Sequence, residues 1–235
     1  MAITDPKHLP YQIDPARNRF HYYENYWKHC GLKLLSKHVP ATPGTSILDY
    51  GCGRGEALEI FGAPGYSVTG TDADPKCVEI AGRHGPSVLL DLADPVGQFG
   101  EKSFDVVICF HVLEHVDNPK LVATQLGRIA RKAVVVAVPN LCNLTGLFRR
   151  NANYEVVNEG HLQSWDHGHF QSMMERHAGL ELVEWGFDTT ILPVFNRFAP
   201  KFLGQKGTIW LETQIFPKLF PFHGISVLGL FRPKS

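Results

Sequence analysis

The sequence has no surplus of charge of either sign: 23 basic and 23 acidic side chains cancel over 235 residues. Bulk attraction to nucleic acid or to an anionic membrane is therefore excluded as the organising feature, although a local basic patch is not. Cysteine is sparse. The five present (Cys30, Cys52, Cys77, Cys109 and Cys142) are odd in number, dispersed and never spaced C-x-x-C. That pattern argues against a disulfide framework or a structural zinc site and for reduced thiols. No apolar run is long enough to span a membrane, and the opening residues lack the basic start, apolar middle and small-residue cleavage site of a secretory signal. The expectation is a cytoplasmic protein without a transmembrane segment. Internal repeats and low-complexity tracts are also missing, so solenoids and disordered arrays drop out. What is present is a chain of single-domain length, 44% hydrophobic, with enough apolar material for a core.

Strand-like runs alternate with helical stretches. Residues 1–16 are polar and proline-dotted and read as an irregular arm. Residues 17–38 carry Phe20, Tyr23, Trp27, Leu34 and Leu35 at near-helical spacing, and Pro40, Pro43 and Gly44 end that helix. Strands are expected at 46–49, 66–71, 88–90, 104–110 and 133–138, the last two almost wholly apolar, as strands covered on both faces are. Helices are expected at 75–83, with proline in the first turn, and along the stripe Val122, Leu126, Ile129, Ala130. The alternation breaks after Pro139, leaving a long connection at 140–164. Asp166 is placed to cap a helix over 167–177, and 180–187 and 225–231 read as further strands. This is an α/β chain with right-handed crossovers and a mostly parallel sheet. It divides into an arm and helix (1–43), a ligand-binding core (44–187), an aromatic and basic insertion (188–223) and a last strand with tail (224–235).

The chemistry-bearing part is the run Asp49-Tyr50-Gly51-Cys52-Gly53-Arg54-Gly55, directly after one strand and before a helix. Glycines there allow a tight turn and a close approach of backbone to ligand. Asp72 follows Gly51 by 21 positions at the end of the second strand, where a carboxylate can take both hydroxyls of a ribose. A dinucleotide site wants G-x-G-x-x-G, whereas this loop is G-x-G-x-G with Asp49 ahead of it and Glu56 behind. Acids on both sides suit a ligand that joins a ribose to a cationic amino-acid end, and they disfavour a nicotinamide-dependent oxidoreductase.

Three segments, ILDYGCGRG (47–55), GTDADP (70–75) and FDVVICFHVLEHVDNP (104–119), resemble the signatures of class I S-adenosylmethionine-dependent methyltransferases. The resemblance is to the small-molecule, type 11 or type 23-like branch, whose fourth strand runs into a "VLEHV" turn, and it covers residues 45–187. It implies a Rossmann-like seven-stranded, mostly parallel sheet with helices on both faces and the last strand antiparallel. It implies S-adenosylmethionine as cofactor and S-adenosylhomocysteine as product. Carried over by position, Asp49, Gly51, Cys52 and Gly53 lie at the methionine part and Asp72 at the ribose. Ala73 lies beside the adenosine, with Asp91 and Leu92 at the adenine. Phe110 and His111 lie where the fourth strand ends beneath the sulfonium, and His115 lies one helical turn on. A methyltransferase-like protein that binds cofactor without turnover is the non-enzyme alternative. The tetrapeptide at 109–112 is not N/D-P-P-Y/F, so methylation of nucleic-acid bases is not expected.

Methyl transfer to a hydroxyl requires loss of a proton, for which a histidine near neutral pKa is suited. Of the twelve histidines, His111 and His161 are the candidate catalytic residues, and His167 and His169 read as solvent-facing residues at a helix start. His111 and His115 have the H-x-x-x-H spacing of a metal pair, but no third ligand stands at a diagnostic distance, so no metal is expected. Residues 189–235 hold six basic side chains against Glu212 alone, interleaved with eight phenylalanines and tryptophans. Prolines at 193, 200, 217 and 221 argue against one continuous helix there. A lid or homodimer surface is expected, with Tyr22, Tyr23, Tyr26 and Trp27 opposite it and a small, aromatic or lipid-like molecule as methyl acceptor. O-methylation is slightly preferred.

Overall fold

The apolar runs at the middle of the sequence become the middle of a sheet. In the computed structural model, which describes residues 25–146 and 160–234, seven strands pair in the order 3-2-1-4-5-7-6. They are β1 (Ser46–Tyr50), β2 (Ser67–Asp72), β3 (Ser87–Leu89), β4 (Phe104–Phe110), β5 (Ala130–Pro139), β6 (Leu180–Gly186) and β7 (Ser226–Pro233). The first five pair parallel, and β7 runs antiparallel between β5 and β6. Val106, Val107, Ile108 and Cys109 of β4 are all fully buried, as are Val134 to Val138 of β5.

Alternate residues of a strand face opposite ways, so each of these strands feeds two cores. Val107, Cys109, Val134 and Val136 join Leu126, Ile129, Phe170 and Met174 on one face. Val106, Ile108, Ala133 and Val135 join Leu34, Leu35 and Phe61 on the other. The first face is covered by α5 (Pro119–Ile129) and α6 (His167–His177), the second by α1 (Tyr26–His38) and α2 (Glu56–Gly62). Asp166 caps α6 as expected, accepting from the His169 amide at 2.9 Å. The shorter α3 (Pro75–Ala81) and α4 (Pro95–Phe99) each begin on a proline behind a capping aspartate, Asp74 and Asp94. Residues 1–16, the beginning of the expected first helix, Tyr22 and Tyr23 lie outside the described residues, as does most of the 140–164 connection.

The insertion is more helical than its prolines suggest. Helix α7 (Pro193–Trp210) passes through Pro200 and is interrupted instead at Gly204, whose φ of 68° leaves helical space. A π turn (Leu211–Ile215) and α8 (Phe216–Leu219) follow. Nor do its aromatic rings all turn inward. Phe195 packs on Phe216, but Phe198 and Trp210 are exposed and Phe202 is 83% exposed. The insertion meets the first helix where Tyr26 Oη donates to the Thr213 carbonyl at 3.0 Å. Together they wall a groove of about 570 Å³ that shares no residue with the glycine loop.

Candidate active site

The strand order reverses between β1 and β4, and there the carboxyl ends of neighbouring strands open a crevice. At the end of β1 the Gly51 and Cys52 amides both donate to the Thr71 carbonyl, at 2.8 and 2.9 Å, turning the chain back over β2. Gly51 has φ +79°, and a Cβ there would lie 2.3 Å from Val112 Cγ2, so the β4 turn closes directly on this glycine. Gly53 also has positive φ, but a Cβ on it would meet nothing within 4 Å. One glycine lets protein pack on the loop, and the other leaves open backbone surface.

Asp72 ends β2 and reaches back into this loop. Its Oδ2 accepts from the Gly53 amide and its Oδ1 from the Asp74 amide, both at 2.9 Å. Burial raises its pKa, and those amides together with that of Ala73 oppose the rise. Asp49 is 2% exposed, and burial pushes its carboxyl up to about 7 against the pull of Lys28. Glu56 is different. Burial works against its charge too, but Lys28 at 3.0 Å and Arg54 outweigh it and hold the carboxyl below its ordinary value. Its charge is thus compensated within the protein, so the argument against a pyrophosphate rests on glycine spacing rather than on Glu56.

At the end of β4, His111 adopts φ +56°, a left-handed conformation unusual for a side chain of this size. The ring is held at both nitrogens. Nδ1 lies 3.1 Å from Glu114 Oε1 and Nε2 lies 3.1 Å from Ser226 Oγ. Trp27 of α1 packs edge-on against it, with centroids 5.1 Å apart. The Ser226 amide donates to both oxygens of Asp188, at 3.2 and 3.1 Å, and burial raises that carboxyl to about 6. Glu114, Ser226 and Asp188 escape a reading of the sequence. Asp188 alone left a signal there, being an acid just past a strand end like Asp49, Asp72 and Asp91.

The other expected site residues divide. Asp91 and Leu92 lie exposed after β3, with Asp91 Oδ1 accepting from the Ala93 amide at 2.9 Å and Leu92 49% exposed. The Phe110 ring is buried, stacked near Phe61 and beneath Gly31, where a Cβ would lie 2.8 Å from its Cζ. That ring serves packing, and any part Phe110 plays at the site passes through its main chain. Cys52 is likewise buried, its Sγ against Gly70, and burial raises its thiol pKa. His115 turns to the Gly160 carbonyl, 2.9 Å from Nδ1, and its ring meets that of His161. His169 is exposed as expected. His167 is not: it packs between Trp185 and Phe222, and burial lowers its pKa to about 4. The apolar surroundings that α6 shares with β6 explain the difference.

A sheet of this order, reversed at its last strand and open at the carboxyl ends of β1, β2 and β4, is the architecture of class I S-adenosylmethionine-dependent methyltransferases, and the chain falls in that class. Residues 18–184 match the family described as a methyltransferase domain, and the chain belongs to that family, whose cofactor is S-adenosylmethionine.

Among curated relatives, it is 40% identical over 84 residues to the mitochondrial ubiquinone biosynthesis O-methyltransferase of Schizosaccharomyces pombe, covering 33% of this chain and 31% of the relative. It is 34% identical over 106 residues to the ubiquinone biosynthesis O-methyltransferase of Thiobacillus denitrificans, covering 43% and 45%. The chain thus spans less than half the length of these relatives.

Two solved structures share the fold. A TehB-like S-adenosylmethionine-dependent methyltransferase from Corynebacterium glutamicum aligns with TM-score 0.58 and 20% identity, over 98% of this chain and all of that one. The magnesium protoporphyrin IX methyltransferase of Synechocystis, solved with S-adenosylmethionine bound, aligns with TM-score 0.60 and 14% identity, over 99% and 93%. No helix among the described residues is long and apolar enough to cross a membrane.

Proposed function

We propose that this protein transfers the methyl group of S-adenosylmethionine to an oxygen of a small aromatic acceptor. The observation that carries the reading is the convergence on one crevice of an open glycine backbone, one buried and one half-buried acid (Asp49 and Asp72) and a histidine held at both ring nitrogens. The residues present fit the cofactor. Gly53 leaves room where any side chain would stand, and Asp49 is a buried acid whose raised pKa marks a place that a cation would relieve. In this reading Asp49 meets the ammonium, Asp72 takes the ribose hydroxyls, Ala73 lies along the adenosine, and Asp91 with exposed Leu92 receives the adenine. Bound there, S-adenosylmethionine supplies an electrophilic methyl group on a sulfonium.

The chain's own work is then alignment and proton removal. An ionised carboxylate only accepts hydrogen bonds, so Glu114 fixes the His111 proton on Nδ1 and leaves the lone pair on Nε2. In the resting site Ser226 Oγ lies 3.1 Å from that nitrogen, and an acceptor hydroxyl that takes its place gives its proton to His111. The Trp27 ring beside His111 supports an aromatic acceptor, and the O-methyltransferase relatives support oxygen as the acceptor atom.

Calorimetric titration with S-adenosylmethionine, S-adenosylhomocysteine and NAD is the first test, followed by a turnover screen over phenols, lipids, sugars and amines. Both sulfur nucleosides are expected to bind and phenols to be methylated. Binding of NAD but of neither sulfur nucleoside would overturn the reading.

A further inference from the structure

We propose that Glu114, His115 and His161 form a divalent-metal site beside His111. One ligand atom from each of the three lies within 4.8 Å of the others. Glu114 and His115 stand on the 3₁₀ turn after β4 (Leu113–His115), while His161 comes from a segment far along the chain. Main-chain bonding brings the two together: the Leu162 amide donates to the Glu114 carbonyl at 2.7 Å. His161 is therefore held against the turn by its neighbour's backbone.

Two further observations point to a cation. A carbonyl can only accept, so the 2.9 Å contact of His115 Nδ1 with the Gly160 carbonyl puts the proton on Nδ1 and the lone pair on Nε2. Metal-bound imidazoles are oriented in this way, by an outer hydrogen bond from the second nitrogen. That Nε2 lies 3.9 Å from Glu114 Oε1, with the His115 and His161 rings edge-on at a centroid distance of 4.9 Å. Second, Glu114 is completely buried, and its Oε2 has no hydrogen-bond partner among the described residues. A buried carboxylate oxygen left without a donor is costly, and a bound cation removes that cost.

One carboxylate with two imidazoles is a donor set for Mn²⁺, Fe²⁺, Co²⁺ or Zn²⁺ rather than for Ca²⁺, which prefers an all-oxygen shell. Three protein ligands leave coordination positions open, and the site adjoins the histidine assigned above to the acceptor proton. An ion there would hold the acceptor through its hydroxyl and lower that hydroxyl's pKa. This role of the ion rests on the methyl-transfer reading, whereas its binding does not. His161 becomes a metal ligand instead of a base, and the third ligand missing from the H-x-x-x-H pattern is supplied across the fold, with Glu114 in place of His111.

The test uses the full chain, stripped with a chelator and free of cofactor, titrated with Mn²⁺ and followed by the electron paramagnetic resonance of the free ion, with Zn²⁺ calorimetry in parallel. One saturable ion per chain is expected. His161→Ala and His115→Ala should each weaken it by about tenfold or more, and Glu114→Gln should do the same at nearly constant volume. The exposed His169→Ala should leave it unchanged, and circular dichroism checks that each variant is folded. Absence of stoichiometric binding, or binding untouched in His161→Ala, overturns the proposal. S-adenosylmethionine affinity is measured on the same preparations. Cofactor without metal binding refutes this site and leaves methyl transfer standing, while metal without cofactor binding does the reverse.

Discussion

Asp49 is buried at the end of β1 and titrates near 7, so the proposed cofactor contact has a pH signature. Only the carboxylate attracts an ammonium. Affinity for S-adenosylmethionine should therefore fall as pH drops below 7, by about tenfold per unit once the acid is protonated, with proton release on binding at neutral pH. Calorimetry in buffers of different ionisation enthalpy measures both, and Asp49→Asn should bind weakly with a flat profile. Asp72→Ala should cost at least about 1–3 kcal/mol of cofactor affinity through lost hydrogen bonds to the ribose. Wild-type affinity in that variant refutes the assignment. Gly51→Ala combines a positive φ with a Cβ 2.3 Å from Val112, and should lower stability by about 1–3 kcal/mol in urea unfolding. These positions were legible because strand ends and glycine spacing are local patterns. Ser226 was not, since His111 and Ser226 stand 115 positions apart and only the completed sheet joins them.

At the scale of elements, β4 and α6 fall where the apolar run and the Asp166 cap place them, at 104–110 and 167–177. Continuous burial and capping chemistry leave strong marks. The insertion left a misleading one: Pro200 reads as a helix breaker, yet the interruption in α7 comes at Gly204. β5 also runs longer than its apolar stretch at both ends, because its pairing with β4 begins at Ala130 and its pairing with β7 carries to Pro139. The junction of β6 with β7 makes a prediction of its own. Asp188 has a folded pKa near 6, raised from 3.8 by burial, so the folded chain holds this proton more tightly than the unfolded one. Its contribution to stability is complete below about pH 4 and declines as pH rises to about 6, by about 2–3 kcal/mol. Urea denaturation from pH 4 to 8 should show that decline in the wild type and lose that part of it in Asp188→Asn.

For the whole molecule, zero net charge conceals a division. Residues 189–235 carry six basic side chains and one acid, which leaves 17 basic and 22 acidic side chains for residues 1–188. The acids grouped at β1 and β2 belong to the negative part, and a cationic ligand should therefore stabilise the fold as a unit. S-adenosylmethionine at about 100 times its Kd should add roughly 2.7 kcal/mol. At this chain length that is a rise in Tm of about 5–10 °C, readable by scanning calorimetry, with no rise for NAD. The place of β7 has a consequence for synthesis. It follows β6 in the chain, yet it lies inside the sheet, and among the described residues β6 pairs with β7 alone. On the ribosome, β1 to β5 can assemble in turn, but β6 has no edge to join until residues 226–233 emerge. Ser226 arrives with them, so the clamp on His111 closes last, and a nascent chain can own a formed glycine loop before it owns a finished site.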